Sequence, residues 1–134
     1  MIHEFKHKVY YSDTDAYGVV WHGNYLRWME MARVEFCRDL NIDLVDLKAN
    51  DIVIPVTEIK IRYKSSAKLD ENILVTTVVT KVSPTSATFE QVISNAITKT
   101  IYTIAQVEVV AVNNQGKLYR RLPEVLKSAL EGAM

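Results

Sequence analysis

Residues 10–30 read Tyr10-Tyr11-Ser12-Asp13-Thr14-Asp15-Ala16-Tyr17-Gly18-Val19-Val20-Trp21-His22-Gly23-Asn24-Tyr25-Leu26-Arg27-Trp28-Met29-Glu30, and two periodicities meet inside them. Upstream, from His3 to Tyr11, Phe5, Val9 and Tyr11 fall on one face and Glu4, Lys6 and Lys8 on the other. That is the alternation of a half-buried strand, with Tyr11 on its inward side. Downstream, Tyr25, Met29, Ala32, Phe36 and Leu40 recur at spacings of three or four. They predict one amphipathic helix of about four to five turns. Asn24 is its expected N-cap and Asn41 its expected stop. Between strand and helix, Ser12-Asp13-Thr14-Asp15-Ala16-Tyr17-Gly18 has the small polar residues of a turn.

Working outward, nearly every signal after Pro55 is a strand signal. Ile59, Ile61 and Tyr63 alternate with Glu58, Lys60 and Arg62, and the runs 73–82, 87–93 and 102–112 are rich in Val, Ile and Thr. Ser83-Pro84-Thr85 and Asn113-Asn114-Gln115-Gly116 mark turns. Leu122-Pro123-Glu124 opens a short C-terminal helix, with proline at a tolerated first position. The order is strand, long helix, then four strands joined by short turns. Such strands pair antiparallel, which makes this a single α+β domain over residues 1–134.

Composition narrows the function. With 49% hydrophobic residues, the chain supports a core, but at 134 residues one sheet and one helix cover it poorly, so self-association is expected. Sixteen Lys plus Arg balance sixteen Asp plus Glu, which argues against nucleic acid as the main partner. The one cysteine, Cys37, leaves no internal disulfide, and the charged N-terminus is unlike a signal peptide. No stretch approaches the roughly 20 apolar residues of a membrane span. A cytoplasmic protein without an integral membrane segment is expected.

The chemistry concentrates at the strand-to-helix junction, where Asp15 precedes His22 at the mouth of a helix. Helix N-termini carry unpaired N–H groups and a positive dipole end, which suit an oxyanion formed when a carbonyl is attacked. A neighbouring carboxylate can attack that carbonyl or deprotonate a water. Other readings are weaker. Asp13 reads as a turn-former. As a calcium loop, the stretch would place Asn24 where a bidentate Glu belongs. His3 and His7 sit on a strand with no third metal ligand evident. Cys37 reads as a buried inert thiol. Lys60, Arg62 and Lys64, or Arg120 and Arg121, have the charge to hold phosphates, but read first as solvated surface.

The stretch closely resembles the Asp-x-Asp-x-x-Gly-x-Val-(aromatic)-x-x-x-Tyr signature of the 4-hydroxybenzoyl-CoA thioesterase family, and within it the YbgC-like acyl-CoA thioesterase branch. The likeness is dense over residues 10–40 and extends as compatible strand order to about residue 125. It implies a hotdog fold, an antiparallel sheet of about five strands wrapped around one long central helix. It also implies homo-oligomers, dimers or dimers of dimers (a homotetramer), with active sites at subunit interfaces. The implied reaction is hydrolysis of a small acyl-CoA or aryl-CoA, with coenzyme A as part of the substrate and no separate cofactor or metal. By position, Asp15 is the implied nucleophile or general base. The His22 amide faces the thioester carbonyl while its imidazole orients or deprotonates water, and Tyr11 assists. The same fold also serves acyl-carrier-protein thioesters or non-catalytic acyl-CoA binding. The chain departs from the family at Lys64-Ser65-Ser66-Ala67, where relatives often carry proline, and at Lys68-Leu69-Asp70-Glu71, where an aromatic often precedes the acidic pair.

Overall fold

A computed structural model describes residues 1–134. Strand β1 (His3–Lys8) leads through a 3-10 turn (Tyr11–Asp13) and a loop to helix α1 (Gly23–Asp39). Then follow α2 (Leu44–Ala49), β2 (Val56–Tyr63), β3 (Asn72–Val82), β4 (Ala87–Asn95), β5 (Ile101–Val109) and α3 (Glu124–Gly132). The five strands form one antiparallel sheet in the order β1-β3-β4-β5-β2. This is the expected α+β arrangement, with one long helix against one curved sheet.

Alternation decides which face of the sheet meets α1. β4 buries Ala87, Phe89, Gln91, Ile93 and Asn95, and β3 buries Ile73, Val75, Thr77 and Val79. Onto them α1 lays Tyr25, Met29, Ala32 and Phe36 of the stripe its spacing predicts, with Trp28 buried beside them, while Leu40 falls at the C-cap and is half-buried. Burying Met29 and Phe36 contributes roughly 2 kcal/mol each. A polar group in this core is fully used: Gln91 donates to the Met29 carbonyl (2.9 Å) and the Thr77 hydroxyl (3.0 Å), and accepts from Arg33 (2.9 Å).

Asn41 stops α1 as expected. It adopts a left-handed φ of 61°, its N–H donates to the Arg38 carbonyl (2.9 Å), and Ile42 N–H donates to the Cys37 carbonyl (2.8 Å). That is a Schellman ending. Asn24 is not the N-cap, because α1 already begins at Gly23 with His22 in the cap position. The Asn24 side chain donates instead to the Asp13 carbonyl at 2.8 Å. Pro123 sits at the cap of α3, one residue before the position expected for it.

Three further readings change. Strand β1 ends at Lys8, so Tyr11 is not on an inward strand face; it lies in the 3-10 turn and is 81% exposed. The cause is Asp13, whose buried carboxylate accepts the Tyr10 N–H at 2.9 Å and turns the chain out of the sheet. Helix α2 was not expected; Asp43 caps it, accepting from the Val45 and Asp46 amides. Finally, β2 and β3 are not joined by a short turn. β2 pairs with β5 at one sheet edge, and residues 64–71 cross to β3 past the start of α1.

Candidate active site

Residues 14–20 form a small hairpin. Thr14 pairs with Val20, Asp15 N–H donates to the Val19 carbonyl (2.8 Å), and Gly18 N–H donates to the Asp15 carbonyl (3.0 Å). Gly18 takes a φ of 78°, which closes the three-residue loop without a side-chain penalty. The Asp15 carboxylate is thereby carried at the loop's first corner, half-buried, where its Oδ1 accepts the Tyr17 N–H at 2.8 Å. Its Oδ2 has no partner in the chain.

The other limb of the hairpin runs straight into α1. Trp21 N–H and the Asn24 side chain both donate to the Asp13 carbonyl, at 3.0 and 2.8 Å. These two bonds fasten the helix start to the loop that carries Asp15. His22 is exposed, makes no side-chain capping bond, and touches aromatic rings on two sides, Trp21 at 5.2 Å and Tyr63 at 6.2 Å. The amides of His22 and Gly23 donate to no acceptor in the chain. They are the orphan donors of a helix N-terminus. A Cβ at position 23 would overlap the outer edge of the Trp21 ring, so any larger residue there displaces that ring.

The crossover forms the adjoining wall. Val20 N–H donates to the Ala67 carbonyl (2.9 Å), Val19 bridges Lys68, and Ala67 N–H donates to the buried Tyr25 hydroxyl (2.9 Å). Burial raises the Tyr25 phenol above its usual range, opposed by the Ala67 bond, with Glu71 adding to the rise. Glu71 anchors the far end of the crossover, accepting from Lys68 N–H (2.6 Å) and the Tyr102 hydroxyl (3.0 Å). Between crossover and helix start lies a cleft of about 230 Å³ lined by His22, Tyr25, Tyr63, Lys64, Ser65 and Ser66.

Of the residues singled out in sequence, Asp15 lies on the hairpin and His22 two residues beyond it at the cap of α1, while Tyr11 lies upstream, exposed in the 3-10 turn. No bond joins the three side chains. Asp13 is the turn-former expected, and Arg27 stands 3.9 Å from its carboxylate. His3 and His7 do not converge: His3 meets Asp39 at 3.0 Å, and His7 packs against Trp28. Cys37 is buried, and burial pushes its thiol up to about 11 despite the nearby Arg33 guanidinium. Tyr63 and the 64–68 wall were missed. The parity of β2 turns Tyr63 toward the helix side with Ile59 and Ile61, but nothing local pairs it with His22.

A five-stranded antiparallel sheet around one long helix is the hotdog fold, which solved thioesterase structures share. Residues 9–130 match the family model of the thioesterase-like superfamily, and the chain belongs to that family. It is 36% identical over 117 residues to the acyl-CoA thioester hydrolase YbgC of Escherichia coli O6:H1, covering 87% of each chain. It is 41% identical over 88 residues to the acyl-CoA thioesterase YbgC of Haemophilus influenzae, covering 65% of each. The crystal structure of a 1,4-dihydroxy-2-naphthoyl-CoA thioesterase from Synechocystis shares the fold, with a TM-score of 0.88 at 22% identity over 97% of this chain and 96% of that one.

Proposed function

We propose that this protein hydrolyses a small acyl-CoA or aryl-CoA thioester to the free acid and coenzyme A. One observation carries the reading: the half-buried Asp15 carboxylate, with Oδ2 free, is held on a hairpin that leads through Trp21 to the unpaired amides of His22 and Gly23. A thioester carbonyl accepting from those amides gains an oxyanion site as charge develops on its oxygen. Asp15 then acts as nucleophile, giving an acyl-enzyme anhydride and the CoA thiolate, or as general base on a water. His22 assists the water. Tyr11, exposed in the 3-10 turn, assists within the same subunit or across to a second copy. Coenzyme A is part of the substrate, and the scheme calls on no separate cofactor or metal.

The same reading includes a homodimer, or a dimer of dimers. Its support is β2, an edge strand free of proline, and an apolar cavity of about 280 Å³ beside its first residues, lined by Val34, Ile54, Val56 and Leu126 among others. Antiparallel pairing of β2 with its own copy would continue the sheet.

The test is thiol release from a panel of acyl-CoAs, acetyl to palmitoyl plus 4-hydroxybenzoyl, by the wild type and Asp15→Asn. Turnover that vanishes in the variant is the expected result. An Asp15→Asn protein that kept most of its activity would exclude this mechanism. A wild type idle on every CoA thioester would move the assignment to a carrier-protein thioester or to acyl-CoA binding without turnover.

A further inference from the structure

We propose that Tyr63 is a positioning residue for this reaction, holding the peptide group between His22 and Gly23 so that the Gly23 N–H faces the reacting carbonyl. The inference rests on the thioesterase reading above and concerns how its oxyanion donors are aimed.

The Tyr63 hydroxyl donates to the His22 carbonyl at 3.3 Å. No peptide bond in the chain is cis, so the His22 carbonyl and the Gly23 N–H point in opposite directions from one rigid plane. Fixing the oxygen therefore fixes the direction of the N–H, which has no acceptor of its own. Trp21 and Asn24 tie the helix start to Asp13, but the 22–23 peptide needs an anchor of its own, because His22 supplies no capping bond and Gly23 has no side chain to pack. Tyr63 supplies one from the last position of β2, a strand tied along its length to β5.

Its ring, though 44% exposed, has aromatic neighbours as well. It stands edge-on to the His22 imidazole at 6.2 Å and 87°, and meets the buried Tyr25 ring at 5.8 Å. Tyr25 is in turn fixed by the Ala67 amide. On the other side, the Trp21 ring occupies the space a side chain at position 23 would need. The 22–23 peptide is thus held at its oxygen and covered at its α-carbon. A hydrogen bond to a peptide oxygen also polarises the N–H at the opposite end of the same group, which strengthens it as an oxyanion donor. Tyr63 itself touches no reacting atom in this scheme.

The experiment compares the full-length wild type with Tyr63→Phe, which keeps the ring and deletes only the hydroxyl. Steady-state kinetics on an acyl-CoA that the wild type turns over should show kcat reduced about tenfold with KM unchanged, less than the loss on removing an oxyanion donor outright. In ¹⁵N-resolved NMR spectra, the Gly23 amide proton should move upfield while the β2 and β5 amides away from position 63 keep their shifts. A Tyr63→Phe enzyme with wild-type kcat, or an unmoved Gly23 amide, would overturn the proposal. So would a loss of kcat accompanied by general loss of spectral dispersion, which marks a structural role. A wild type inactive on every acyl-CoA overturns the thioesterase reading itself, and that result is read on the wild type alone.

Discussion

Asp15 and Asn113 hold the same place in two loops of one shape. Each side chain accepts the amide two residues on, from Tyr17 at 2.8 Å and from Gln115 at 3.0 Å. Each backbone N–H donates four residues ahead, to Val19 at 2.8 Å and to Lys117 at 2.9 Å. Each loop closes on a glycine of positive φ, Gly18 at 78° and Gly116 at 82°. The first loop delivers the chain to the start of α1; the second returns it only to the Val112–Leu118 bridge. The turn therefore asks for an Asx oxygen and no charge, and the negative charge at Asp15 is surplus to folding.

Asp15→Asn should accordingly leave the fold nearly intact, because asparagine already performs the same turn at position 113. The unfolding free energy is expected to stay within about 0.5 kcal/mol of wild type in urea, the range of substitutions that keep local bonds. Turnover should fall by at least about 100-fold, the scale of a lost acid–base group. A variant that unfolded at clearly lower urea would show the charge to be structural.

How far the sequence reached depended on whether an interaction was local. The α1 stripe, its Asn41 stop, the strands and the Asp15-to-His22 junction all follow from spacing within a few residues. The end of β1 did not, because it depends on Asp13 capturing the Tyr10 amide, a side-chain choice that overrides an otherwise continuous alternation. Asn24 looks like a cap in sequence, yet its partner is the Asp13 carbonyl across the loop. The β2-to-β3 crossover and the Tyr63–His22 contact join segments far apart in the chain, and no periodicity encodes them. The 95–100 turn lacks glycine, and Lys99 adopts a φ of 66° there while the Asn95 side chain accepts two amides.

Gly23→Ala tests the steric account of the helix start. The new Cβ overlaps the Trp21 ring, so that half-exposed side chain must swing outward and give up its contact. The clashing edge belongs to an exposed ring free to move, so the cost in stability should stay within about 0.5 kcal/mol. The displaced ring leaves the helix mouth open, so kcat should fall while chemical denaturation shows a nearly unchanged fold. A wild-type kcat would mean that Trp21 does not shape the site.

Tyr25→Phe tests the wall. The substitution preserves the ring in the core but leaves the Ala67 N–H, now bonded at 2.9 Å, buried without an acceptor. An orphaned buried donor costs about 1–3 kcal/mol. Hydrogen exchange should quicken at Val20 and Ala67 more than in β4, since the crossover loses its side-chain tie to α1. Uniform exchange across the sheet and crossover would show that the hydroxyl does not hold this segment.

His7 gives the molecule a predictable acid sensitivity. Its Nε2 is buried with no partner, as is the Trp28 Nε1 beside it at a ring separation of 5.8 Å. Burial holds the imidazole below its ordinary 6.5; the Asp13 carboxylate opposes that shift and the Arg27 guanidinium adds to it. Below pH 6.5 the unfolded chain therefore binds a proton that the folded chain resists. Stability from this site is fully present above that pH and is lost as pH falls toward the lower folded value. Ordinary carboxylates remain ionised near pH 5.5, so they contribute little in the window. Melting temperatures of the wild type and His7→Phe at pH 7.5 and 5.5 isolate the effect. The wild type should lose more on acidification than the variant. Equal losses would mean that His7 accepts its proton as readily in the folded protein as in the unfolded chain.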